Sequence, residues 1–574
     1  MQSSPPLLAS ARRHLPSIAL LLLLVAGLYA QALGHHFLVT WDDPTYVTAN
    51  PSVQAFTWEN VKAMFTRTYA DNYAPVHVFS YLVDHAIWGM RPAGFVLGNV
   101  VLHALNGVLL YLLLVTLAWG RPAALLAAAL FVAHPVQVES VAWISQRKAV
   151  LSGFFFLVAL EAWVLYRREG RWRRSWYAVS AVAFALALLA KATTVIFPLA
   201  AFAFDLCAGR SLRDRRTWLD KVPLLVAGAV MAVVTVIAQS PEVGGGTTGY
   251  HGGSPWATLL TMLPVFARYL GMTLWPTGLS ALYAPVVRTS VDLAVAASAL
   301  LLAGVAVLSV VLWRRRRPLL FWLLLFFIGL LPVSQIVPFV TIINDRYLYL
   351  PMIGATAFLS DVAFLALDRA RARLILRGAV AVAIALMLGH DVLATYLRVP
   401  VWRDDYTLWG DTVRTVPESS RAHFQLAHAR EMNRDLRGAI EEYEVGLSLT
   451  PLPAERFFLG GCLERTGALE AALDQYRVAL EKLPTFGEAR RAMGRVHNNL
   501  AVDWATHGRE GDALPHFEAA ATLDPGNPRY HYNLGNAYLD AGLTARGIEE
   551  LRRAVDLAPG DPRFAQRLAE ASRN

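Results

Sequence analysis

Residues 291–313 read VDLAVAASALLLAGVAVLSVVLW, and the next four are Arg314–Arg317. A run of 23 residues with one charge, at Asp292, is long enough at about 1.5 Å per residue to cross a hydrocarbon core roughly 30 Å thick. The arginines that end it mark a cytoplasmic boundary. Similar runs lie near 17–33, 95–118, 122–135, 149–166, 176–190, 192–206, 222–240, 319–333, 347–366 and 375–397, which makes eleven spans. The run 257–275 is apolar but contains Pro264 and ends at Trp275-Pro276, and reads as a re-entrant or interfacial helix. The first run follows Arg12 and Arg13 and reads as a retained span rather than a cleaved signal.

The 574 residues divide sharply by charge. Residues 401–574 carry 21 basic and 26 acidic side chains, whereas the first 400 carry 31 and 17. The net charge of +9 therefore averages a basic membrane part with an acidic soluble part. The basic residues sit beside apolar runs, which excludes a nucleic-acid reading of the high isoelectric point. With the N-terminus inside, 21 of the 31 basic residues face the cytoplasm: Arg12 and Arg13, Arg121, the clusters Arg167–Arg174 and Arg210–Lys221, Arg314–Arg317, and Arg369–Arg377. Eleven spans then place residues 401–574 outside, in the periplasm of a bacterium. Cys207 and Cys462 are isolated, so no disulfide framework or zinc site is expected.

Beyond residue 400, prolines recur at Pro417, Pro451, Pro484, Pro525 and Pro559, in steps of 34, 33, 41 and 34. The clearest unit runs Tyr530-His-Tyr-Asn-Leu534-Gly535-Asn-Ala-Tyr538, then Gly542, Ala545, Ala554 and Pro559. This is the tetratricopeptide pattern of paired helices, with a short insertion in the repeat around Asn498-Asn499-Leu500-Ala501. The expected fold is all-α: a polytopic transmembrane domain over 1–400, then an α-solenoid over 401–574. Stacked helix pairs present a concave surface for a peptide or protein, or serve as a spacer.

The candidate chemistry lies in the outer loops. The first, residues 34–94, begins His35-His36-Phe37-Leu38-Val39-Thr40-Trp41-Asp42-Asp43-Pro44. A carboxylate beside a low-dielectric surface needs a partner or a task. One of Asp42 and Asp43 could take a proton from a hydroxyl nucleophile, or cap the turn that begins at Pro44. A second cluster runs from His134-Pro135 through Glu139 and Trp143 to Arg147-Lys148, a basic pair suited to a lipid phosphate. Lys191, between two apolar runs, could pair with a phosphate or snorkel. Asn344-Asp345-Arg346-Tyr347 could bind a pyrophosphate or anchor a span.

At these residues the chain resembles the transmembrane-and-tetratricopeptide-repeat family of O-mannosyltransferases and their bacterial relatives. The resemblance rests on Trp41-Asp42-Asp43 with Asn50-Pro51; on Gly89-Met-Arg-Pro92 with Asn99, His103 and Asn106; on His134-Pro135, Glu139-Ser140 and Trp143; on Arg147-Lys148; and on Asp345-Arg346-Tyr347 with Tyr349-Leu350-Pro351. Ala74, and Gln146 and Ala149 flanking the basic pair, depart from it.

The resemblance implies a type C glycosyltransferase fold and a polyprenyl-phosphate sugar as donor. It implies no cofactor and no general need for a metal. Asp42 or Asp43, with Asp43 preferred, is then the base. Arg147, Lys148, Lys191 and Arg346 bind the donor phosphate, with His134, Glu139, Asp345 and Tyr347 in support. The partners are the bilayer, the lipid-linked sugar and an acceptor protein recruited by the repeats. A non-enzymatic scaffold and a glycan transporter are the competing readings.

Overall fold

The computed structural model describes residues 7–168, 172–211, 213–240 and 248–573. Arg171 of one basic cluster and Leu212 within another lie outside them. Among the described residues the chain is helical, with one isolated bridge, Tyr69 to Asn72, and no strand. It forms two compact units, Met1–Val416 and Pro417–Asn574.

In the first unit, eight helices are long and apolar enough to cross a membrane: Arg12–Gly34, Pro92–Thr116, Ile144–Arg167, Thr217–Ala238, Pro255–Leu274, Leu293–Arg315, Pro351–Arg369 and Leu374–Trp402. A ninth candidate is the pair Arg121–Ala133 and Pro135–Ala142, bent by 51° where Pro135 breaks the backbone ladder. The eleven-span expectation changes in two ways. Residues 257–275 form a continuous helix, Pro255–Leu274, of spanning length with Pro264 inside it. Segments 192–206 and 319–333, by contrast, are shorter apolar helices, and segment 176–190 lies in the helix Arg173–Ala190, which is not among the eight or in the bent pair. Segment 192–206 loses its first turn to a tight turn, Ala192–Ile196, and the helix proper is Phe197–Cys207.

Outward faces are apolar, as a bilayer requires: Leu293, Leu300 and Ile375 stand at least three-quarters exposed. Inward faces approach closely through small residues. A Cβ at Gly354 would fall 2.5 Å from the Trp322 carbonyl oxygen, so Pro351–Arg369 packs on Arg317–Leu330 only because that side chain is absent. At one end Asp205, fully buried, is held by Arg167 and by Lys221 at 2.6 Å. Arg167 also reaches Asp220 at 2.6 Å, which ties the ends of three helices together.

At the other end of the helix Arg147–Arg167, four tryptophans join distant segments. Trp41 stacks on Trp409 at 4.8 Å, Trp143 stacks on Trp402 at 5.6 Å, and Trp41 meets Trp143 at 4.6 Å. Asp405 accepts the backbone N–H groups of Val39 and Thr40 at 2.9 and 3.0 Å. These contacts are why residues 401–416 belong to the first unit and move the unit boundary from 400 to 416.

The second unit contains helix pairs Ser420–Met432 with Leu436–Leu449, Pro453–Arg465 with Leu469–Lys482, Gly487–Thr506 with Glu510–Leu523, and Pro528–Asp540 with Thr544–Leu557, closed by Pro562–Ala571. The long proline step adds no loop. It lengthens one helix, Gly487–Thr506, by about two turns, which keeps the buried face in phase. Each pair is pinned by side chains 19 apart in sequence: His423 to Glu442 at 2.7 Å, Arg456 to Gln475 at 2.8 Å, His497 to His516 at 2.8 Å, and His531 to Glu550 at 2.6 Å.

The third pin joins two histidines. Burial and the neighbouring His516 lower His497 to about 4. A histidine depressed in the folded state stabilises while neutral and loses that contribution as pH falls from about 6.5 toward 4. The full shift would be worth about 3.4 kcal/mol, and partial exposure of the pair to solvent cuts the expected loss to about 2 kcal/mol. Acidification of the intact protein is therefore expected to open the third repeat first, read by hydrogen exchange, and His516→Glu is expected to remove the effect.

Candidate functional site

The loop that follows the first span turns back at Pro44–Thr48, just after the two aspartates, and sends them in different directions. Asp43 is completely buried. One carboxylate oxygen accepts from Trp143 Nε1 at 2.9 Å, Ser145 N at 3.1 Å and Ser145 Oγ. The other accepts from Leu38 N at 2.8 Å. Burial raises its pKa to about 6 against the pull of those donors. It makes no capping bond to the turn it precedes. Asp43 thus fastens the loop to 143–145, and the preference for it as base is reversed. Asp42 keeps 30% of its side chain exposed, with Lys148 Nζ 3.9 Å away.

Lys148 begins the helix Arg147–Arg167 and donates to Tyr46 Oη at 3.3 Å. Lys191 ends the helix Arg173–Ala190 and is half-buried. Arg346 lies in the turn Asp345–Leu348. Burial lowers Lys191 to about 7, helped by the positive charges of Lys148 and Arg346 and opposed by Glu139. These cations come from three segments far apart in the chain.

Glu139 is buried and committed to Arg346, accepting its backbone N–H at 2.8 Å and its guanidinium at 2.5 Å. Lys191 and Arg346 line a cleft with Ala149, Ser152, Thr193 and Tyr347, whose free interior of about 20 Å³ holds one or two waters. A phosphate entering there would meet Lys191 and Arg346.

The other expected residues do structural work. Arg147 points away from the cleft. It is buried, paired with Asp84, donates to Asn99 Oδ1 at 2.8 Å and to the Phe95 carbonyl, and lies over the Tyr81 ring. Its place among the phosphate ligands is corrected: two helices, Pro75–Trp88 and Pro92–Thr116, need that guanidinium to satisfy their acceptors. His134 caps the bend, with Nδ1 accepting from Val136 N at 3.4 Å and Nε2 bonded to the Thr273 carbonyl at 3.2 Å. Asp345 is buried and accepts from Tyr283 Oη. Burial and nearby Glu139 raise its pKa. Tyr347 lines the cleft and donates to the Thr341 carbonyl at 3.4 Å.

Sequence reasoning missed Tyr46 and Asn72. Tyr46 follows Asp42 by four residues, and its backbone N–H bonds the Asp42 carbonyl at 3.1 Å. An aromatic residue at that offset was the available signal. Asn72 closes a tight turn in which Ala70 and Asp71 both adopt left-handed backbone, φ 44° and 59°. Nothing in its local sequence points to the site.

Residues 73–238 match the family model for dolichyl-phosphate-mannose-protein mannosyltransferase, and residues 505–562 match a tetratricopeptide repeat. The chain is 30% identical over 278 residues to the protein O-mannosyl-transferase Tmtc2 of Drosophila melanogaster, a match covering 44% of this chain and 29% of that protein. It is 35% identical over 99 residues to human protein O-mannosyl-transferase TMTC1, covering 17% and 11%. The matched stretch thus spans less than a third of these relatives. Among solved structures, MamA from Desulfovibrio magneticus is similar at 22% identity and a TM-score of 0.22, over 26% of this chain and 82% of that one. The chain is a multi-pass membrane protein homologous to the transmembrane-and-tetratricopeptide-repeat O-mannosyltransferases.

Proposed function

We propose, with that homology as premise, that this protein is a membrane glycosyltransferase of the type C class. It moves a sugar, a mannose-like hexose included, from a polyprenyl-phosphate carrier to a Ser or Thr hydroxyl of a protein recruited by its repeats. The observation that carries the reading is the half-open carboxylate of Asp42, 3.9 Å from Lys148, beside the Lys191 and Arg346 cleft. Lys148 and Lys191 also fall within the stretch matched by the mannosyltransferase model. The setting is the inner membrane of a bacterium, N-terminus cytoplasmic and repeats periplasmic. The stacking of Trp409 on Trp41 supports only that the end of the first unit lies on the same side as the loop that bears Asp42.

In this mechanism the Asp42 carboxylate takes the proton of the acceptor hydroxyl as its oxygen attacks the anomeric carbon. The bond from that carbon to the phosphate oxygen breaks, and its electron pair stays on the lipid phosphate. Lys191, Arg346 and Lys148 stabilise the charge that develops there. Displacement on one face inverts the anomeric configuration.

The test is reconstitution in proteoliposomes with a panel of polyprenyl-phosphate sugars and a periplasmic extract. Transfer with inversion from one donor is the expected result. Capture of proteins by the repeats with no transfer from any donor would leave the scaffold reading. That reading has its own support in a groove of about 530 Å³ in the second unit, lined by Ala505, Leu514, Phe517, Asn533 and Ala537.

Lys191 gives this function a pH signature. Its free-state value of about 7 rises when a phosphate binds, so donor binding takes up a proton above neutrality. The donor KM is expected to climb up to about tenfold per pH unit above 7. Lys191→Arg, charged throughout, is expected to flatten that limb.

A further inference from the structure

Lys148 and Asp42 face each other without forming a hydrogen bond. Their separation is 3.9 Å, beyond hydrogen-bond distance. The nearer partner of the ammonium is the hydroxyl of Tyr46, at 3.3 Å, and the same ring lies under Nζ with its centroid 4.8 Å away.

Tyr46 is itself immobilised. It is fully buried, and its ring packs edge-on against His77 at 4.9 Å. Its hydroxyl receives a second donor, Asn72 Nδ2, at 3.3 Å. Asn72 is held in turn by Gln239 Nε2 at 3.1 Å and by paired backbone bonds with Tyr69 at 2.9 and 3.0 Å.

We propose that Tyr46 is a positioning residue: its neutral phenol holds the Lys148 ammonium beside the phosphate cleft and keeps it off Asp42. The carboxylate and the ammonium then stay free for different substrate atoms. The proposal rests on the glycosyl-transfer reading for its chemistry.

The nature of the acceptor matters. Burial holds the Tyr46 phenol above its ordinary value near 10, so it stays neutral. A phenol oxygen takes an ammonium N–H without cancelling its charge, and the ring face adds a cation–π attraction. A carboxylate in that place would neutralise the cation. Without the phenol oxygen, Asp42 is the nearest acceptor in hand. A closed Lys148–Asp42 pair would deprive the acceptor hydroxyl of its base and the departing phosphate of one cation.

The experiment is a double-mutant cycle on the full chain in nanodiscs, with Tyr46→Phe, Lys148→Ala and the pair. Two quantities are read: affinity for farnesyl phosphate, and kcat with KM for the donor that wild type uses. Tyr46→Phe keeps the ring and is expected to weaken farnesyl phosphate binding and lower kcat by about tenfold each. In the Lys148→Ala background it is expected to add less than about twofold. Asn72→Ala is expected to reproduce the Lys148-dependent loss.

Losses that multiply between Tyr46→Phe and Lys148→Ala would show a merely structural role and overturn the proposal, as would a Tyr46→Phe protein that matches wild type. If wild type binds farnesyl phosphate but turns over no donor, the transfer reading falls while the cycle still decides the pair. If wild type binds no farnesyl phosphate, both fall.

Discussion

Asp42→Asn is expected to lower sugar transfer by about 10²–10⁴-fold, the range a lost general base produces, with no loss of folded protein. The two halves of that expectation have separate sources. The side chain is 30% exposed and its ion-pair partner, Lys148, sits at 3.9 Å, beyond hydrogen-bond distance, so replacing it with an isosteric amide breaks no buried hydrogen bond. The amide cannot accept the hydroxyl proton, and the attacking oxygen keeps it through the displacement. Donor KM is expected to change little, because Asp42 is not among the residues that line the Lys191 and Arg346 cleft. Initial rates in proteoliposomes, with thermal unfolding of the same preparation, check both halves. A variant that keeps wild-type rates would move the base elsewhere.

Asp43→Ala is expected to do the reverse of a clean catalytic lesion. Its carboxylate accepts from Leu38 N, Trp143 Nε1, and Ser145 N and Oγ, and none of these donors has water to turn to. Leaving a buried donor unmatched costs about 1–3 kcal/mol. Even with partial relaxation the four together are expected to cost roughly 3–5 kcal/mol. The loop would then detach from 143–145 and carry Asp42 away from Lys148. Yield of folded protein and its unfolding temperature should both fall, and activity per folded molecule should fall as well. Asp43→Asn is expected to be milder, since its amide oxygen still accepts from some of the donors. A stable Asp43→Ala protein with full activity would mean the hydrogen-bond hub is dispensable.

The contrast between these adjacent residues shows what sequence can carry. Apolar runs and the proline period are local patterns, and they located the helices of both units. Residues 257–275 went wrong because Pro264 reads locally as a break, while surrounding helices can accommodate it. The long repeat step left its form open, and only the structure turns it into two extra turns of Gly487–Thr506.

In the site, Asp42, Lys148, Lys191 and Arg346 were visible as charges placed where a bilayer makes charge costly. Which aspartate turns inward was not visible, because residues about 100 positions later decide it, at Trp143 and Ser145. Arg147 and Lys148 are equivalent as a basic pair in sequence. One faces Asp84 and Asn99 and the other Tyr46 and Asp42, a division set by helix packing alone.

The central claim is that a sugar leaves a lipid phosphate for an acceptor hydroxyl. The most direct measurement follows both products in one proteoliposome reaction, starting from a polyprenyl-phosphate sugar labelled in the sugar. The account predicts label on acceptor protein and an equal amount of free polyprenyl phosphate with wild type, and neither with Asp42→Asn. Label transfer that persists in Asp42→Asn, or a wild type that leaves every donor intact in the presence of acceptor, would contradict it.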